Sequence, residues 1–187
     1  MIGVNQQNMN GTNRGLVLKS IMMKSPISRV ELSRMTGLSK MTVSGLVNDY
    51  VEKGIVWECG ESDSTGGRRR TFLDVVPDSL LTLGIYIGRD ILNVGVIDLK
   101  GKILQSESLV LSIVENNEMF IQNLFLLCDR LIDTKYRDKI WGIGVSCAGP
   151  LLARDGVILN PPDFNNIRDL PIATILTERY HLPAYLQ

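Results

Sequence analysis

Between Ser28 and Gly54 the chain reads SRVELSRMTGLSKMTVSGLVNDYVEKG, two helical stretches whose starts and stops are written into the residues. Ser28-Arg29-Val30-Glu31 has the form of a capping box, in which the serine oxygen and the glutamate each satisfy an amide donor that a helix start leaves free. The helix it opens, Arg29 to Met35, is halted by Thr36-Gly37, because glycine takes up the left-handed geometry of a tight helix end without steric cost. Ser39 then caps a second stretch, KMTVSGLVNDYVEK, in which Val43, Leu46, Val47 and Tyr50 recur at helical spacing and face inward. Lys40, Met41, Ser44, Gly45 and Asn48 are left to face out. A turn this short leaves the two helices few ways to pack.

The flanks extend the pattern. TNRGLVLKSIMMK, from Thr12 to about Lys24, sets Leu16, Val17, Ile21 and Met22 in a helical stripe, with Thr12 or Asn13 as its cap, before SPIS breaks it. After Gly54, IVWECG reads as a strand, ESDSTGGRRR as a polar glycine-rich loop and TFLDVV as a returning strand. Three helices followed by a hairpin make a winged helix-turn-helix over residues 1–76. On that reading the outward face of the third helix suits a DNA major groove. Lys40 and Asn48 would reach base edges, with Ser44 and Gly45 beside them and Met41 against a thymine methyl, while Ser39 and Thr42 would meet phosphates. Arg68 and Arg69, in the hairpin loop, would follow the backbone or enter a minor groove. A solvated helix face and a solvated turn are the alternatives, and the order of the elements favours DNA.

Pro77-Asp78-Ser79 punctuates the chain, and residues 77–187 follow another grammar. Residues 80–87, 91–98 and 102–111 read as a meander of three strands. ENNEMFIQNLFLLCDRLIDTKY then aligns Phe120, Leu124, Leu127 and Leu131 on one side of a helix that a sheet would bury. KIWGIGVSCAGP is a buried strand running into a Gly-Pro turn, LLARDGVILNPPDFNNIRDLP is largely loop, and IATILTERYH is a last helix closed by His181.

Charge differs between the halves although the whole is neutral. Residues 1–76 carry ten Lys and Arg against seven Asp and Glu, and the remainder ten against thirteen, a modest bias toward a polyanion partner for the first half. Cys59, Cys128 and Cys147 form no C-x-x-C pair and read as small hydrophobes in a reducing compartment, with no metal site and no cofactor expected. MIGVNQQNMNGTNRG lacks the charged start and apolar core of a signal peptide, and no apolar run approaches the roughly 20 residues of a membrane span. The expected location is cytoplasmic, away from membranes.

SRVELSRMTGLSKMTVSGLVNDYVEKGIV followed by STGGRRRTFLDV resembles the DNA-binding part of ROK family repressors, sugar-responsive bacterial regulators that include xylose repressors. The likeness continues through LGIYIGRDILNVGVIDLKGKIL, GIGVSCAGPLLARDGVILNPPDF and DLPIATILTERYHLPAYLQ, nearly the whole chain. It implies an α/β protein in which the winged helix-turn-helix precedes the N-terminal part of an actin-like, ribonuclease-H-like ROK domain shared with sugar kinases. ROK kinases have an Asp-x-Gly-Gly-Thr-type first hairpin, and the resemblance lays Tyr86 on its aspartate, Arg89 on its second glycine and Asp90 on its threonine. The carboxylate that would organise metal and phosphate is thus replaced, and Arg89 adds bulk where the backbone would approach a phosphate. The family's catalytic aspartate and its His and Cys zinc cluster are expected beyond Gln187. Gly149 and the NPPDF loop match the start of the family's sugar pocket, with Asp163 where a sugar-contacting asparagine would align; an ordinary capped loop is the other reading.

The function expected from the sequence is that of a non-enzymatic DNA-binding transcriptional regulator, a repressor of carbohydrate-utilisation genes. It would act as a homodimer or higher homo-oligomer on double-stranded operator DNA and respond to a small sugar only when the second domain is completed. The alternatives are a ROK-type sugar kinase and a DNA-binding regulator that has lost sugar sensing.

Overall fold

The computed structural model describes residues 6–62, 70–111, 116–132, 135–160 and 166–187, which divide between Ser79 and Leu80 into two units. The first opens with α1 (Gln6–Lys24), whose buried stripe is Val17, Ser20 and Ile21. Leu16, placed on that stripe by its spacing, is 40% exposed. It lies about a quarter-turn from the stripe's centre, and the neighbouring Ser20 is buried instead, its hydroxyl donating to Leu16 O at 2.8 Å. Two extended residues, β1 (Ile27–Ser28), lead into α2 (Arg29–Thr36). The capping box is present in full, with Ser28 N donating to Glu31 Oε2 at 2.9 Å. Gly37 closes the helix at φ 70°, its N–H reaching Ser33 O. Ser39 caps α3 (Lys40–Glu52), which buries Val43, Val47 and Tyr50 and leaves Leu46 half-buried. The Tyr50 hydroxyl donates to Arg14 O at 2.7 Å, tying α3 to α1.

β2 (Val56–Ser62) and β3 (Arg70–Val75) pair antiparallel with a bulge at Cys59, and β1 adds to the other edge of β3, giving the order β1-β3-β2. Ile27 faces Leu73 across that added edge. Two residues carry no alternation to read, which is why this strand is invisible in the sequence.

The second unit is α/β with a mixed five-stranded sheet. β4 (Leu81–Ile87), β5 (Ile91–Asp98) and β6 (Ile103–Val110) form the expected antiparallel meander. The β5–β6 turn is held by the Asp98 carboxylate, which accepts from the amides of Lys100 at 2.8 Å and Lys102 at 2.9 Å. α4 (Asn117–Ile132) follows and buries Phe120, Leu124, Leu127 and Leu131, the four residues its periodicity selects. A single 3-10 turn (Arg137–Lys139) precedes β7 (Ile140–Cys147), which runs parallel to β4.

The stretch read as largely loop contains a small hairpin, β8 (Leu151–Leu152) with β9 (Val157–Ile158), whose turn needs Gly156 at φ 69°. Two-residue strands this short are fixed by tertiary contact: Ile158 is fully buried and its N–H donates to Leu170 O at 2.9 Å. α5 (Ile172–Tyr180) ends at His181, which adopts φ 56° and donates its N–H to Thr177 O. β10 (Ala184–Leu186) then joins β7 in parallel, completing the order β10-β7-β4-β5-β6. Leu83, Ile85, Val94, Val96, Ile143 and Val145 supply the apolar side of the sheet to the core that holds α4 and α5.

Candidate functional site

The outward face of α3 is built by elimination. With Val43, Val47 and Tyr50 committed to the core, the helical period turns Lys40, Met41, Thr42, Gly45 and Asn48 to solvent, and Met41 is 80% exposed. Ser44 is half-buried. An unbranched thioether this exposed gains nothing from folding. Lys40 occupies the first turn of α3, where no acidic residue stands. A cation at that end opposes the helix dipole, while the free amides there favour an anion. Both features cost the isolated helix something and suit one that receives a polyanion.

Ser39 and Thr42, expected to meet phosphates, are engaged with each other. The Ser39 hydroxyl accepts from Thr42 N at 3.1 Å, and the two hydroxyl oxygens lie 2.9 Å apart. Both stay exposed, so each retains a lone pair toward solvent. Asn48 is also engaged: Arg29 Nη1 donates to its Oδ1 at 2.8 Å, and Arg29 Nη2 donates to Glu58 Oε1 at 3.0 Å. Arg29 and Glu58 were not singled out by the sequence, since a residue just inside a capping box reads as part of the helix start. On the far side of α3, Asp49 pairs with Arg14 and with Lys53. The ammonium of Lys53 and the guanidinium of Arg14 hold its carboxyl below the ordinary 3.8. Arg68 and Arg69 lie outside the described residues.

In the second unit, β4, β7 and β10 run parallel, so their carboxyl ends at Ile87, Cys147 and Leu186 share one edge of the sheet, the edge where open α/β sheets place ligands. The turn after β4 is closed by Gly88 N donating to Ile91 O at 2.8 Å. Ala148 N reaches Ile87 O at 3.4 Å and carries Gly149 to the same edge. A Cβ at Gly88 would lie 3.0 Å from both the Ile91 side chain and the Tyr86 ring, so glycine here serves packing within the turn. Tyr86 is 46% exposed and stands between Asn93 and Ser146 on the neighbouring strands. Arg89 and Asp90 are exposed, and Asp163 lies outside the described residues.

The sheet face away from the apolar core carries a groove of about 580 Å³ with Gly84, Gly95 and Gly144 in its floor and the rings of Tyr86 and Tyr185 among its walls. Among the described residues that line it there is no Asp, Glu, Lys or Arg side chain, so they offer no side-chain charge to a metal ion or a phosphate. Burial pushes the Cys147 thiol up to about 11 and the Cys128 thiol to about 12, which leaves both protonated and poorly nucleophilic. Among the described residues no group of three His, Cys, Asp or Glu side chains is placed to hold a metal, and no helix is long and apolar enough to cross a membrane.

The model of the ROK family matches residues 82–187. The chain belongs to the ROK family. It is 33% identical over 181 residues to the xylose repressor of Bacillus subtilis, covering 94% of this chain and 45% of that protein. The structure of a ROK family transcriptional regulator homologous to Escherichia coli Mlc superposes with a TM-score of 0.73 at 19% identity, over 95% of this chain and 45% of that one. A ROK hexokinase from Thermus thermophilus matches a smaller part, with a TM-score of 0.50 and 26% identity over 58% of this chain and 35% of its own. The chain thus spans less than half the length of the regulators it matches, and the regulators align with both of its units.

Proposed function

We propose that this ROK chain is a DNA-binding transcriptional repressor of carbohydrate genes, with residues 1–76 as a winged helix-turn-helix and residues 77–187 as part of a sugar-responsive ROK domain. The observation that carries it is the capped α2-turn-α3 pair. Its second helix buries Val43, Val47 and Tyr50 and presents Lys40, Met41, Thr42, Gly45 and Asn48, in a chain that aligns along 94% of its length with a xylose repressor. On this reading α3 enters the major groove, Lys40 and Asn48 reach base edges with Ser44 beside them, and Ser39 and Thr42 lie along phosphates. Arg68 and Arg69 of the hairpin loop add backbone or minor-groove contacts. Two copies would grip a two-fold operator in the cytoplasm. A sugar would enter at the carboxyl edge of β4 and β7, with Gly149 and Asp163 on its wall.

The hexokinase likeness raises the kinase reading. Against it stands Tyr86, which leaves the hairpin without a carboxylate at that position. The discriminating experiment selects a site from randomised duplex DNA with this chain, then titrates it at several salt concentrations. Lys40→Ala is expected to weaken the selected site more than random DNA. Arg68→Ala with Arg69→Ala should weaken both and flatten the salt dependence, since each lost phosphate contact lowers the slope by about one counterion. Failure to enrich any sequence, together with transfer of labelled phosphate from ATP to a hexose, would establish the kinase instead.

A further inference from the structure

Arg29 joins three elements at one point. It is the first residue of α2, its Nη1 donates to Asn48 Oδ1 on α3 at 2.8 Å, and its Nη2 donates to Glu58 Oε1 on β2 at 3.0 Å. A guanidinium has only donors to offer. The carboxamide of Asn48 is therefore fixed with its oxygen toward Arg29 and its NH2 group away from it. Glu58 takes up the charge of Arg29, so the clasp gives α3 a set orientation without adding a free cation to its face. With the side chain of Arg29 only 29% exposed, the guanidinium is placed to serve its protein partners.

A free asparagine reads adenine by pairing both of its amide atoms with N6 and N7, one accepting and one donating. With one lone pair of Oδ1 engaged by Arg29, the amide cannot turn over without breaking that bond, and its NH2 group is the end left free to lead. We propose that Arg29 is a positioning residue for DNA recognition, fixing the Asn48 carboxamide with its NH2 group leading, so that it favours a base edge of acceptors alone, guanine or thymine, over adenine, whose N7 acceptor stands beside the N6 donor. The proposal rests on the reading of α3 as the helix that meets DNA. It adds that the specificity of one α3 side chain is set from α2 and β2.

The test is the base preference of the intact chain at every position of its selected site, measured by competition against all single-base variants. Asn48→Ala should flatten the preference at one base pair and leave the others intact. Arg29→Ala should alter that same pair, admitting adenine with a tenfold or larger gain relative to the original base, because the released amide can turn over. Arg29→Lys keeps a donor toward Oδ1 and should restore the original pattern there. A purely structural role for Arg29 would instead lower affinity at all sites equally and leave the profile unchanged, which would overturn the proposal. Adenine preferred by the unaltered chain at the pair that Asn48→Ala flattens would overturn it too, as would the absence of any such pair. If the chain selects a site and Lys40→Ala weakens it but the Arg29 series fails, only the positioning role falls. If no site is selected, the DNA-binding reading falls with it.

Discussion

Replacing Ser28 by alanine tests whether the α2 cap holds the first unit together. Ser28 is 3% exposed, its hydroxyl donates to Glu31 Oε2 at 2.6 Å, and it accepts from Glu31 N at 3.4 Å. The substitution removes one charge-assisted bond and one long cap bond in a part-buried setting. Loss of a cap costs typically about 1 kcal/mol and a bond to a charged group about 1.5–3. Because the Ser28 N–H still reaches Glu31 at 2.9 Å, the sum is not fully additive, and about 2 kcal/mol is expected. Ser39→Ala is the internal comparison: that hydroxyl is exposed, water can replace it, and the helix it caps is longer, so about 0.5–1 kcal/mol is expected. Trp57 reports the first unit and Trp141 the second, so urea unfolding followed by fluorescence in a Trp141→Phe background isolates the relevant transition. Ser28→Thr should recover most of the loss. A cost below about 0.5 kcal/mol for Ser28→Ala, or a larger one for Ser39→Ala, would refute the role given to the cap.

Asp49 is held below its ordinary value by Lys53 and Arg14. Its stabilising contribution is therefore complete above the unfolded value of 3.8 and is lost as pH falls through the lower folded value. Asp49→Asn should then reduce the acid-side loss of stability between about pH 5 and pH 2, and an unchanged profile of urea midpoints would contradict this. Cys59 is half-buried and the other two thiols are buried, so brief alkylation of the native chain, mapped by mass spectrometry, should label Cys59 ahead of Cys128 and Cys147; early labelling of Cys128 would count against the packing of α4. Gly156→Ala forces a side chain into φ 69° and drives its Cβ into the Ala173 methyl. The left-handed strain of about 1–2 kcal/mol and overpacking of about 1–3 should together lower the second unit's urea midpoint clearly, and a neutral result would mean that the β8–β9 hairpin is not fixed to α5.

The parts of the fold that were legible in the sequence are those whose signal is local. Glycine and serine punctuation located α2 and α3 to within a residue, and the meander of apolar runs located β4 and β5 to within one as well. What escaped depends on partners distant along the chain. β1 exists because Ile27 meets Leu73, and β10 because Ala184 meets Ile143; neither segment has a pattern long enough to announce itself. Leu16 had the right spacing and lost its place to Ser20, a polar residue tolerated in the stripe because the carbonyl four residues back satisfies it. At the candidate site, the exposed residues of α3 follow from which positions its core face takes. The Arg29-Asn48-Glu58 clasp could not be read, since it joins residues 19 and 29 positions apart that no periodicity connects.

Position 86 shows how fold and chemistry can separate in a sheet of this kind. Tyr86 is an outward-facing position of β4, flanked by Asn93 and Ser146, while the residues on either side of it, Ile85 and Ile87, are buried in the core. Strand period alone assigns the two faces different tasks. The inward isoleucines fix the register, because a slip of one residue would turn them to solvent. The outward residue enters no such constraint, so the sheet accepts a tyrosine or a carboxylate there equally well. A sheet of this design superposes on regulators and on a hexokinase alike and cannot by itself distinguish them. The distinction has to be drawn from side chains on faces the core does not use. In this chain two such faces differ in kind: one in the second unit has no charged side chain lining its groove, and one in the first unit is an exposed helix start bearing a lysine. Of these two faces, as the described residues build them, the second carries the cation.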